Sequence, residues 1–403
     1  MPRGAEEEKM AVSQRIRDYL AGASWIRKMF EEGAKLKAQY GVDRVCDFSL
    51  GNPDVPPPPS VKQALEELIR EDAPSLHGYM PNAGFPFVRE AMAIKVSKEQ
   101  KTAVPMEHIV MTCGAAGALN VIFKALLEPG DEVIYPAPFF VEYKFYVENH
   151  QGIPKPVPSR EDFSLDLGAI EAAIGPRTKA ILINSPHNPT GQLYGDNELR
   201  ELAQLLEKKS QEMGRPLYLI SDEPYRNLVF DGLETPAIFP LYPHSIVVSS
   251  FSKELSLPGE RIGFLALHPE AEGKEELMAA FVLANRILGF VNAPALAQRL
   301  AAKCAEEVVE VSIYERRRDL FCEILREAGL EFVKPKGAFY IFPKTPIDDV
   351  EFCRLLQEEL ILAVPGRGFG GPGHIRLAFC VDESYIERSR EGFKRAVEKA
   401  KKL

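Results

Sequence analysis

The sequence lacks the features that mark several large classes of protein. Its longest stretch without a charged residue runs from Thr235 to Ser252, and Pro236, Pro240 and Pro243 interrupt it, so it cannot form an apolar membrane helix. Basic residues are not in excess, because 49 lysines and arginines stand against 58 aspartates and glutamates, giving a formal net charge of -9. That charge provides no general attraction to nucleic-acid phosphates or anionic lipids, so neither partner is expected.

Patterns of cysteine and histidine that hold metals are also missing. The six cysteines and seven histidines form no C-x-x-C pair and no H-E-x-x-H motif. We therefore expect no metal site and reduced thiols, since most cysteines lie inside apolar patterns. The first ten residues, MPRGAEEEKM, are acidic where a signal peptide would be apolar, and the expected location is cytoplasmic.

The length and composition are those of a globular enzyme with more than one domain. A chain of 403 residues allows two or three domains and a large buried core. Hydrophobic residues make up 45% and charged residues 27%, both close to the average for soluble globular proteins. Disordered, fibrous and membrane classes are therefore not expected.

Short apolar runs alternate with longer helical patterns between residues 108 and 267. This alternation predicts parallel strands joined by crossover helices, and runs that are apolar on both faces are typical of a sheet covered on both sides. The strand candidates are IVMTC, DEVIYP, KAILINSP, LYLISDEP, SIVVSSFS and RIGFLAL. We predict an α/β fold with its ligand beyond the carboxyl ends of these strands.

The flanking segments have a different pattern. A helical pattern covers residues 24–40, in which Trp25, Ile26, Met29, Phe30 and Leu36 can share a face, and a rigid proline-rich strap, GNPDVPPPPS, follows. After about residue 293 come one long helical stretch to about residue 328, the segment KPKGAFYIFP, a helix near residues 350–359, the strand HIRLAF and a final amphipathic helix. We predict a large domain of residues 51–293, and a smaller α+β domain formed by residues 1–50 and 294–403.

Two short motif matches point to other chemistries. Gly366, Gly368 and Gly371 satisfy the G-x-G-x-x-G of nucleotide-binding loops, but a strand pattern follows them where that motif needs a helix. The run from Ser250 to Lys253 satisfies S-x-x-K, in which a lysine activates a serine for acyl transfer. That motif needs a helix to present both residues on one face, whereas here it ends a β-branched run. A Ser-Lys acyl hydrolase stays a secondary alternative.

Lys253 lies in the segment SSFSKELSLPGERIG, immediately after a predicted strand. Hydroxyls one and three positions before it, and an arginine eight positions after it, form a cluster that can bind a phosphate beside the amine. A lysine of lowered pKa can form a Schiff base, because only the neutral amine attacks a carbonyl. Considered alone, Lys253 is equally an ordinary surface lysine, and the motifs below favour the first interpretation.

This segment resembles the S-x-S-K-x-x-x-x-P-G-x-R pattern of the class I/II aminotransferases, the fold-type I enzymes that depend on pyridoxal phosphate. The resemblance extends from FSLGNPD (48–54) to HIRLAF (374–379), with five separated motifs in the expected order. It implies the fold-type I architecture, with a mostly parallel mixed sheet covered by helices in a large domain and a smaller α+β domain. It also implies a homodimer with its active sites at the interface.

The resemblance assigns roles to the residues of this segment. Lys253 carries the cofactor as a Schiff base, while Ser250, Ser252 and Arg261 hold the cofactor phosphate. The segment CGAAGALNVIF (113–123) runs from a predicted strand into a helix. The first free backbone N–H groups of this helix belong to Gly114, Ala115 and Ala116, and they can donate hydrogen bonds to phosphate oxygens. Many family members have a hydroxyl in this turn, so here the phosphate must rely on backbone donors. A plain tight turn is the alternative.

The segment SDEPYRNLVFDG places Asp222 at a strand end with Tyr225 three residues further on. A carboxylate beside the pyridine nitrogen keeps that nitrogen protonated, which makes the ring an electron sink. Without this context an aspartate here is more often a helix cap. Tyr225 and Asn188, from SPHNPTG, resemble the pair that hydrogen-bonds the phenolic oxygen of the ring, and Asn188 is also placed among the substrate-binding residues. Asn188 alone also fits a simple Asn-Pro-Thr-Gly turn.

Four further residues follow from the resemblance. Phe140, in YPAPFFVEY, aligns with the aromatic ring that stacks on the cofactor, and Phe139 is the neighbour most easily confused with it. Arg376 matches the arginine that binds the substrate α-carboxylate through a bidentate fork, and Gly51 approaches the same carboxylate. Tyr79, in HGYMPNAG, resembles the tyrosine that reaches the phosphate of the neighbouring subunit.

The predicted activity is amino-group transfer from an L-amino acid to a 2-oxo acid, 2-oxoglutarate or pyruvate, in two half-reactions. Lys253, Asp222 and Tyr225 are the catalytic residues, with the lysine amine as base and acid in turn. The β-elimination, decarboxylation and ring-closure reactions of relatives with the same site stay open, as do alanine, aspartate, methionine, aromatic and branched donors. Some bacterial aspartate-specific relatives carry a lysine near the Ala115 position, and its absence argues against a dicarboxylate preference.

Overall fold

The computed structural model describes residues 11–22, 24–71 and 75–403. The predicted helix over residues 24–40 is present with these bounds. In its predicted apolar face Leu36 is half-buried, whereas Trp25, Ile26, Met29 and Phe30 lie outside the described side chains, and the acidic first ten residues lie outside the described chain.

The described residues form helices and strands that alternate along most of the chain. The helices are α1 (Gln14–Gly22), α2 (Ser24–Tyr40), α3 (Pro59–Glu71), α4 (Pro86–Glu99), α5 (Gly114–Leu126), α6 (Glu142–Asn149), α7 (Leu167–Ala173), α8 (Asp196–Met213), α9 (Phe251–Glu254), α10 (Lys274–Ile287), α11 (Ala295–Lys303), α12 (Val311–Glu327), α13 (Asp349–Glu358), α14 (Glu383–Arg388) and α15 (Arg390–Ala400). The strands are β1 (Cys46–Asp47), β2 (Ile109–Thr112), β3 (Glu132–Ala137), β4 (Ile153–Pro158), β5 (Thr178–Asn184), β6 (Tyr218–Asp222), β7 (Ser245–Ser250), β8 (Gly263–Leu267), β9 (Tyr340–Ile341), β10 (Ile361–Leu362), β11 (Val364–Pro365) and β12 (Ile375–Ala378).

Seven strands form the central sheet in the order β2-β8-β7-β6-β5-β3-β4. Neighbouring strands are parallel except at β8, which runs antiparallel to both β2 and β7. All six strand candidates are present, and the mostly parallel mixed sheet is confirmed. The connection from β7 to β8, residues 251–262, contains the four-residue helix α9 and the turn Pro258–Glu260 but no helix that crosses the sheet, and β8 accordingly runs antiparallel to β7.

The edge strand β4 was not among the sequence candidates. Its sequence IPKPVP places proline at alternate positions, Pro154, Pro156 and Pro158. Ile153 donates its N–H to Asp131 at 2.8 Å, so the alternate proline nitrogens face away from β3. A strand of this composition is possible only at a sheet edge, where the missing donors are not needed.

Strand β5 shows why the central sheet is apolar on both faces. Ile181 and Ile183 belong to one hydrophobic core, which also contains side chains of α3, α4, α7 and α8. Ala180 and Leu182 belong to a second core on the opposite face, with side chains of α5, α6 and α10. The alternation along β5 therefore buries every position except the partly exposed Lys179, and the carboxyl ends of the strands remain the accessible edge.

A separate core underlies the smaller C-terminal unit. It contains side chains of helices α12, α13, α14 and α15 and of strands β9, β10 and β12, together with Cys46 of β1 and Phe48, which follows β1. The helical stretch predicted as continuous to about residue 328 is instead two helices, because α11 packs on α3 and α4 in the large core whereas α12 packs in the small one. We propose that the domain boundary lies between Lys303 and Val311.

Three further features of the described chain bear on function. All six cysteines are free thiols, and Cys113 is the one that is partly exposed. No described helix is long and apolar enough to cross a membrane. Among the described residues, no group of three or more histidine, cysteine, aspartate or glutamate side chains is arranged to hold a metal ion.

Candidate active site

A cavity of about 370 Å³ opens beyond the carboxyl ends of β5, β6 and β7, at the edge where the sequence predicts a ligand. Its lining includes twelve of the predicted site residues, which are Gly51, Ala115, Ala116, Phe140, Asn188, Asp222, Tyr225, Ser250, Ser252, Lys253, Arg261 and Arg376. Gly114 lies directly behind the lining. Tyr79 lies elsewhere and is 93% exposed, so its predicted reach toward a neighbouring subunit stays a prediction.

Lys253 projects its amine into this cavity from the short helix α9. Its Nζ donates a hydrogen bond to the carbonyl of Gly51 at 2.8 Å. Burial lowers the pKa of Lys253 from 10.5 to about 8, and the charges of Arg376 and Arg261 act in the same direction, whereas Cys380 acts in the opposite one. A substantial fraction of the amine is therefore neutral, and thus nucleophilic, in mildly alkaline solution.

The geometry gives no support to a Ser-Lys pair. Ser250 ends β7 in an extended conformation, and α9 begins only at the next residue. Within the described chain, no hydrogen bond joins Ser250 to Lys253, whose amine is directed to Gly51 instead. The helical presentation that an acyl hydrolase requires is absent from this segment.

Asp222 lies buried at the end of β6 with one carboxylate oxygen unpaired. The hydroxyl of Tyr143 donates to Oδ2 at 2.6 Å, whereas Oδ1 has no hydrogen-bond partner. Burial raises the pKa of Asp222 from 3.8 to about 7; the hydrogen bond from Tyr143 opposes this shift and the charge of Glu223 adds to it. A buried acceptor without a donor is unusual, and a positively charged donor placed here would satisfy it.

Two asparagines and two tyrosines form hydrogen-bonded pairs in the cavity wall next to Asp222. Asn184 donates to the backbone carbonyl of Asp222 at 2.8 Å and accepts from the N–H of Asn188, also at 2.8 Å. The hydroxyl of Tyr225 lies 3.1 Å from that of Tyr340. Burial raises the pKa of Tyr225 well above its usual value, so its hydroxyl keeps its proton.

Arg376, on β12, is a buried guanidinium without a carboxylate partner among the described residues. It donates to the carbonyl of Ser49 at 2.7 Å and to the side chain of Asn188 at 3.3 Å, while its Nε is unpaired. Its guanidinium carbon lies 4.8 Å from the ring centre of Tyr340 and 4.5 Å from that of Phe369. Because a buried charge is costly without an opposite one, this arrangement favours an anionic ligand.

The opposite end of the cavity brings donors together at the start of α5. A Cβ added to Gly114, whose φ is +71°, would lie 2.9 Å from Nη2 of Arg261. A Cβ added to Gly263 would lie 2.7 Å from the carbonyl carbon of Gly114 and 2.9 Å from the nitrogen of Ala115. Glycine at both positions therefore lets β8, Arg261 and the helix N-terminus approach closely, and the lining hydroxyls of Ser250 and Ser252 complete a cradle for an anion.

The structure distinguishes the two adjacent phenylalanines. Phe140 lines the cavity and meets the ring of Tyr143 edge-on, with centroids 5.5 Å apart. Phe139 lies outside the cavity, where its N–H donates to Phe369 at 2.8 Å and its ring contacts Tyr135 edge-on at 4.9 Å. Phe140 is therefore the ring placed to contact a ligand.

Several lining residues were not identified from the sequence. They are Leu119, Tyr143, Tyr146, Asn184, Pro224, Pro258 and Tyr340. The three-residue spacing of Tyr143 and Tyr146 places both on one face of α6, and this was a readable signal. Tyr340 had no such signal, because it comes from the small unit and reaches the cavity only through the docking of the two cores.

The residues present fit pyridoxal phosphate at both ends. The cradle at the start of α5 offers backbone N–H groups, two hydroxyls and Arg261 to a phosphate. The unpaired Oδ1 of Asp222 matches a protonated ring nitrogen, and Lys253 supplies an amine for the aldehyde.

Gly51 provides a direct test of the cavity wall. A Cβ at this position would lie 1.8 Å from the hydroxyl oxygen of Tyr340, so Gly51→Ala must displace the strap or the tyrosine. We expect a loss of about 1 to 3 kcal/mol in unfolding free energy, typical of overpacking, measured by urea unfolding. Gly259→Ala is the matched control, because this exposed glycine has nothing within 4 Å of its added Cβ. Equal stability of the two variants would contradict this geometry.

In comparisons with known proteins, the chain is similar to aminotransferases. The family model described as aminotransferase class I and II matches residues 43–393. The aspartate/prephenate aminotransferase of Thermus thermophilus is 34% identical over 375 residues, covering 90% of this chain and 93% of that protein. The aromatic-amino-acid aminotransferase 2 of Thermococcus litoralis is 32% identical over 411 residues, covering 98% of this chain and 100% of that protein. A crystal structure of an amino transferase from Eubacterium rectale matches with a TM-score of 0.93 at 40% identity, covering 97% of this chain and 99% of that one.

These matches confirm the resemblance drawn from the motifs and the fold type that it implied. They extend over nearly the whole chain, so they include both the large and the small core. Enzymes of this kind transfer amino groups with pyridoxal phosphate, which is the cofactor that the cavity fits. The chain is therefore a pyridoxal-phosphate-dependent aminotransferase and belongs to the class I and II aminotransferase family.

Proposed function

We propose that this aminotransferase moves an amino group from an L-amino acid to a 2-oxo acid, 2-oxoglutarate or pyruvate, with Lys253 as the residue that binds the cofactor covalently. The observation that carries the proposal is the buried amine of Lys253, whose lowered pKa makes it nucleophilic, in the same cavity as the unpaired carboxylate oxygen of Asp222. Relatives named as an aspartate/prephenate aminotransferase and an aromatic-amino-acid aminotransferase support the reaction type.

Each end of the cofactor has its own set of residues in this proposal. The phosphate is held by the backbone N–H groups and side chains of Gly114, Ala115, Ala116, Ser250, Ser252 and Arg261. The ring is held by Phe140, Asn188, Asp222 and Tyr225. When bound, pyridoxal phosphate supplies an aldehyde that condenses with amines and a protonated ring that withdraws electrons from the adjacent carbon.

The residues of the chain supply the proton chemistry. With a pKa near 8, the amine of Lys253 would accept a proton from the α-carbon of the substrate. It would then return that proton to the carbon that was the aldehyde carbon of the cofactor. Asp222 is held in a dry site where its ionised form is penalised, so it interacts strongly with a cation placed at Oδ1. The hydroxyl of Tyr225, which keeps its proton, would donate a hydrogen bond to the phenolic oxygen of the bound cofactor ring.

The substrate carboxylate pairs with Arg376 in this proposal. Its neighbours Asn188 and Gly51 complete the wall, and both line the same part of the cavity. Arg261 is engaged at the phosphate end and Lys253 in the chemistry, so the described lining of this chain has no cation left for a second carboxylate. We propose that uncharged donors, aromatic or aliphatic, react better than aspartate.

We also propose a homodimer. The end of α10 exposes Leu283 and Ile287, which are 48% and 55% accessible, and Tyr79 is 93% accessible. Asn285, on α10, connects this helix to the segment that carries Tyr79 by donating to the carbonyl of Asn82 at 3.2 Å. Large apolar side chains exposed on adjoining segments favour self-association, and in such a dimer Tyr79 would be available to a second copy.

A cytoplasmic location is proposed from the thiol chemistry. Six free cysteines, with Cys113 partly exposed, are typical of a reducing compartment, since an oxidising one would favour disulfides. The location is testable by fractionation of cells that produce the protein.

The proposed reaction is tested by a panel of L-amino acids offered with 2-oxoglutarate and with pyruvate. The purified enzyme loaded with pyridoxal phosphate is expected to convert the acceptor to its amino acid in equal amount to the 2-oxo acid formed from the donor. Release of ammonia or carbon dioxide without amination of either acceptor would identify β-elimination or decarboxylation and contradict the proposal. Relative kcat/KM across the panel then tests the preference for uncharged donors over aspartate.

A further inference from the structure

Each of the two central charged residues of the cavity is followed by a glutamate that points away from it. Glu223 follows Asp222, and Glu254 follows Lys253. Both glutamates are nearly inaccessible, at 1% and 3%, and neither belongs to the cavity lining. Their carboxylates enter one buried group of charged side chains behind the cavity.

Lys95, on α4, is the cation of this group that pairs with Glu254. Its Nζ lies 3.3 Å from Oε1 of Glu254 and 2.9 Å from Oε1 of Glu99, and the side chain is only 5% accessible. Asn227 donates to Oε2 of Glu254 at 2.5 Å and to Oε1 of Glu99 at 3.3 Å. Helix α4, the loop after β6 and helix α9 are therefore joined through these four side chains.

Arg226 makes the equivalent contact for Glu223. Its Nη1 donates to Oε2 of Glu223 at 2.6 Å, and its Nη2 donates to the carbonyl of Glu99 at 2.7 Å. Gln100 donates to the same glutamate at 3.1 Å, and Ser221 donates at 2.7 Å. The loop that follows Asp222 is thus held against the C-terminal end of α4.

We call this set the buried charge cluster, and its members are Lys95, Glu99, Gln100, Glu223, Arg226, Asn227 and Glu254. It holds three carboxylates and two cations, and all of them are buried except Glu99, whose side chain is 16% accessible. Buried ion pairs are rarely more stable than well-packed apolar side chains, so stability alone does not account for the cluster. Directional charged contacts do fix relative positions, which apolar packing fixes less sharply.

We propose that Lys95 is a positioning residue for the amino-group transfer. Through Glu254 it fixes helix α9, and therefore the amine of Lys253, against the loop that carries Asp222. The inference rests on the proposed role of Lys253, because only a reacting amine requires such placement. A displacement of about 1 Å can reduce a catalytic rate by about a hundredfold, so the expected effect is large.

The test uses the cofactor-loaded enzyme with Lys95→Met, which removes the charge and keeps the length of the side chain. We expect kcat to fall by between about tenfold and a hundredfold while KM stays within about threefold, because the carboxylate site at Arg376 is untouched. We also expect a displaced midpoint in the pH titration of the visible absorbance of the bound cofactor. Lys98→Met, on the same helix with a 73% accessible side chain paired to Glu306, is the control and leaves both quantities unchanged.

A second variant separates positioning from folding. Lys95→Met with Glu254→Gln removes both charges of the pair, so thermal stability is expected to recover relative to Lys95→Met while kcat stays low. If kcat recovered together with stability, the pair of Lys95 and Glu254 would be purely structural and the inference would be overturned. A kcat and an absorbance midpoint equal to those of the parent in both variants would overturn it as well. A parent enzyme without amino-group transfer would instead refute the proposed function, and the two failures are distinct.

Discussion

Replacing Lys253 by alanine is expected to reduce kcat for amino-group transfer by at least about a thousandfold, since the variant loses both the covalent attachment and the proton carrier. The chain is expected to fold, because the amine makes a single hydrogen bond, to Gly51, and α9 is otherwise held by buried neighbours such as Phe251 and Leu255. Single-turnover measurements with an amino acid donor give the rate directly.

The matched control for this variant is a lysine on the surface. Lys208→Ala, whose side chain is 62% accessible and paired with Glu171 and Glu212, is expected to retain the parent rate. Added methylamine provides a second control, since a small free amine can replace part of the lost proton transfer. Turnover by Lys253→Ala near the parent value would remove this lysine from the mechanism.

Replacing Asp222 by asparagine is expected to reduce kcat by between about tenfold and a hundredfold. The change keeps the shape of the side chain and removes the charge opposite the ring nitrogen, and a charged hydrogen bond contributes about 1.5 to 3 kcal/mol. Steady-state kinetics with saturating cofactor measures this effect. Tyr143→Phe is the comparison, because it removes only the neutral donor at Oδ2 and leaves the charge in place.

The same variant gives a check without cofactor. Because burial raises the pKa of Asp222 from 3.8 to about 7, the folded protein retains a proton that the unfolded chain has released. Its contribution to the unfolding free energy is therefore largest below about pH 4 and falls by roughly 1.4 kcal/mol per pH unit until about pH 7. Urea unfolding at several pH values should show this decline in the parent relative to Asp222→Asn. A constant difference would contradict the raised pKa.

The sheet could be predicted because its central strands are buried on both faces. Strands β5, β6 and β7 leave continuous apolar runs in the sequence, and that signal survives without any knowledge of tertiary contacts. Strand β4 could not be predicted in the same way, because its three prolines argue against a strand everywhere except at an edge. The break between α11 and α12 was also hidden, since it reflects two different cores.

The cavity residues also divide into those that could be predicted from the sequence and those that could not. Asp222, Ser250 and Lys253 follow directly from strand ends, so their meeting at one edge of a parallel sheet could be predicted. Tyr340 joins them from a distant part of the chain through domain docking. The pair Lys95 and Glu99 has the four-residue spacing of an exposed helix ion pair, and only the structure shows that it is buried behind the cavity.

Reduction with borohydride tests the covalent role of Lys253 most directly. The cofactor-loaded enzyme, treated with borohydride and digested, is expected to yield one peptide carrying a pyridoxyl group, and its mass fragments should place that group on Lys253. A protein that binds no pyridoxal phosphate, or a label that falls on another lysine, would contradict the account.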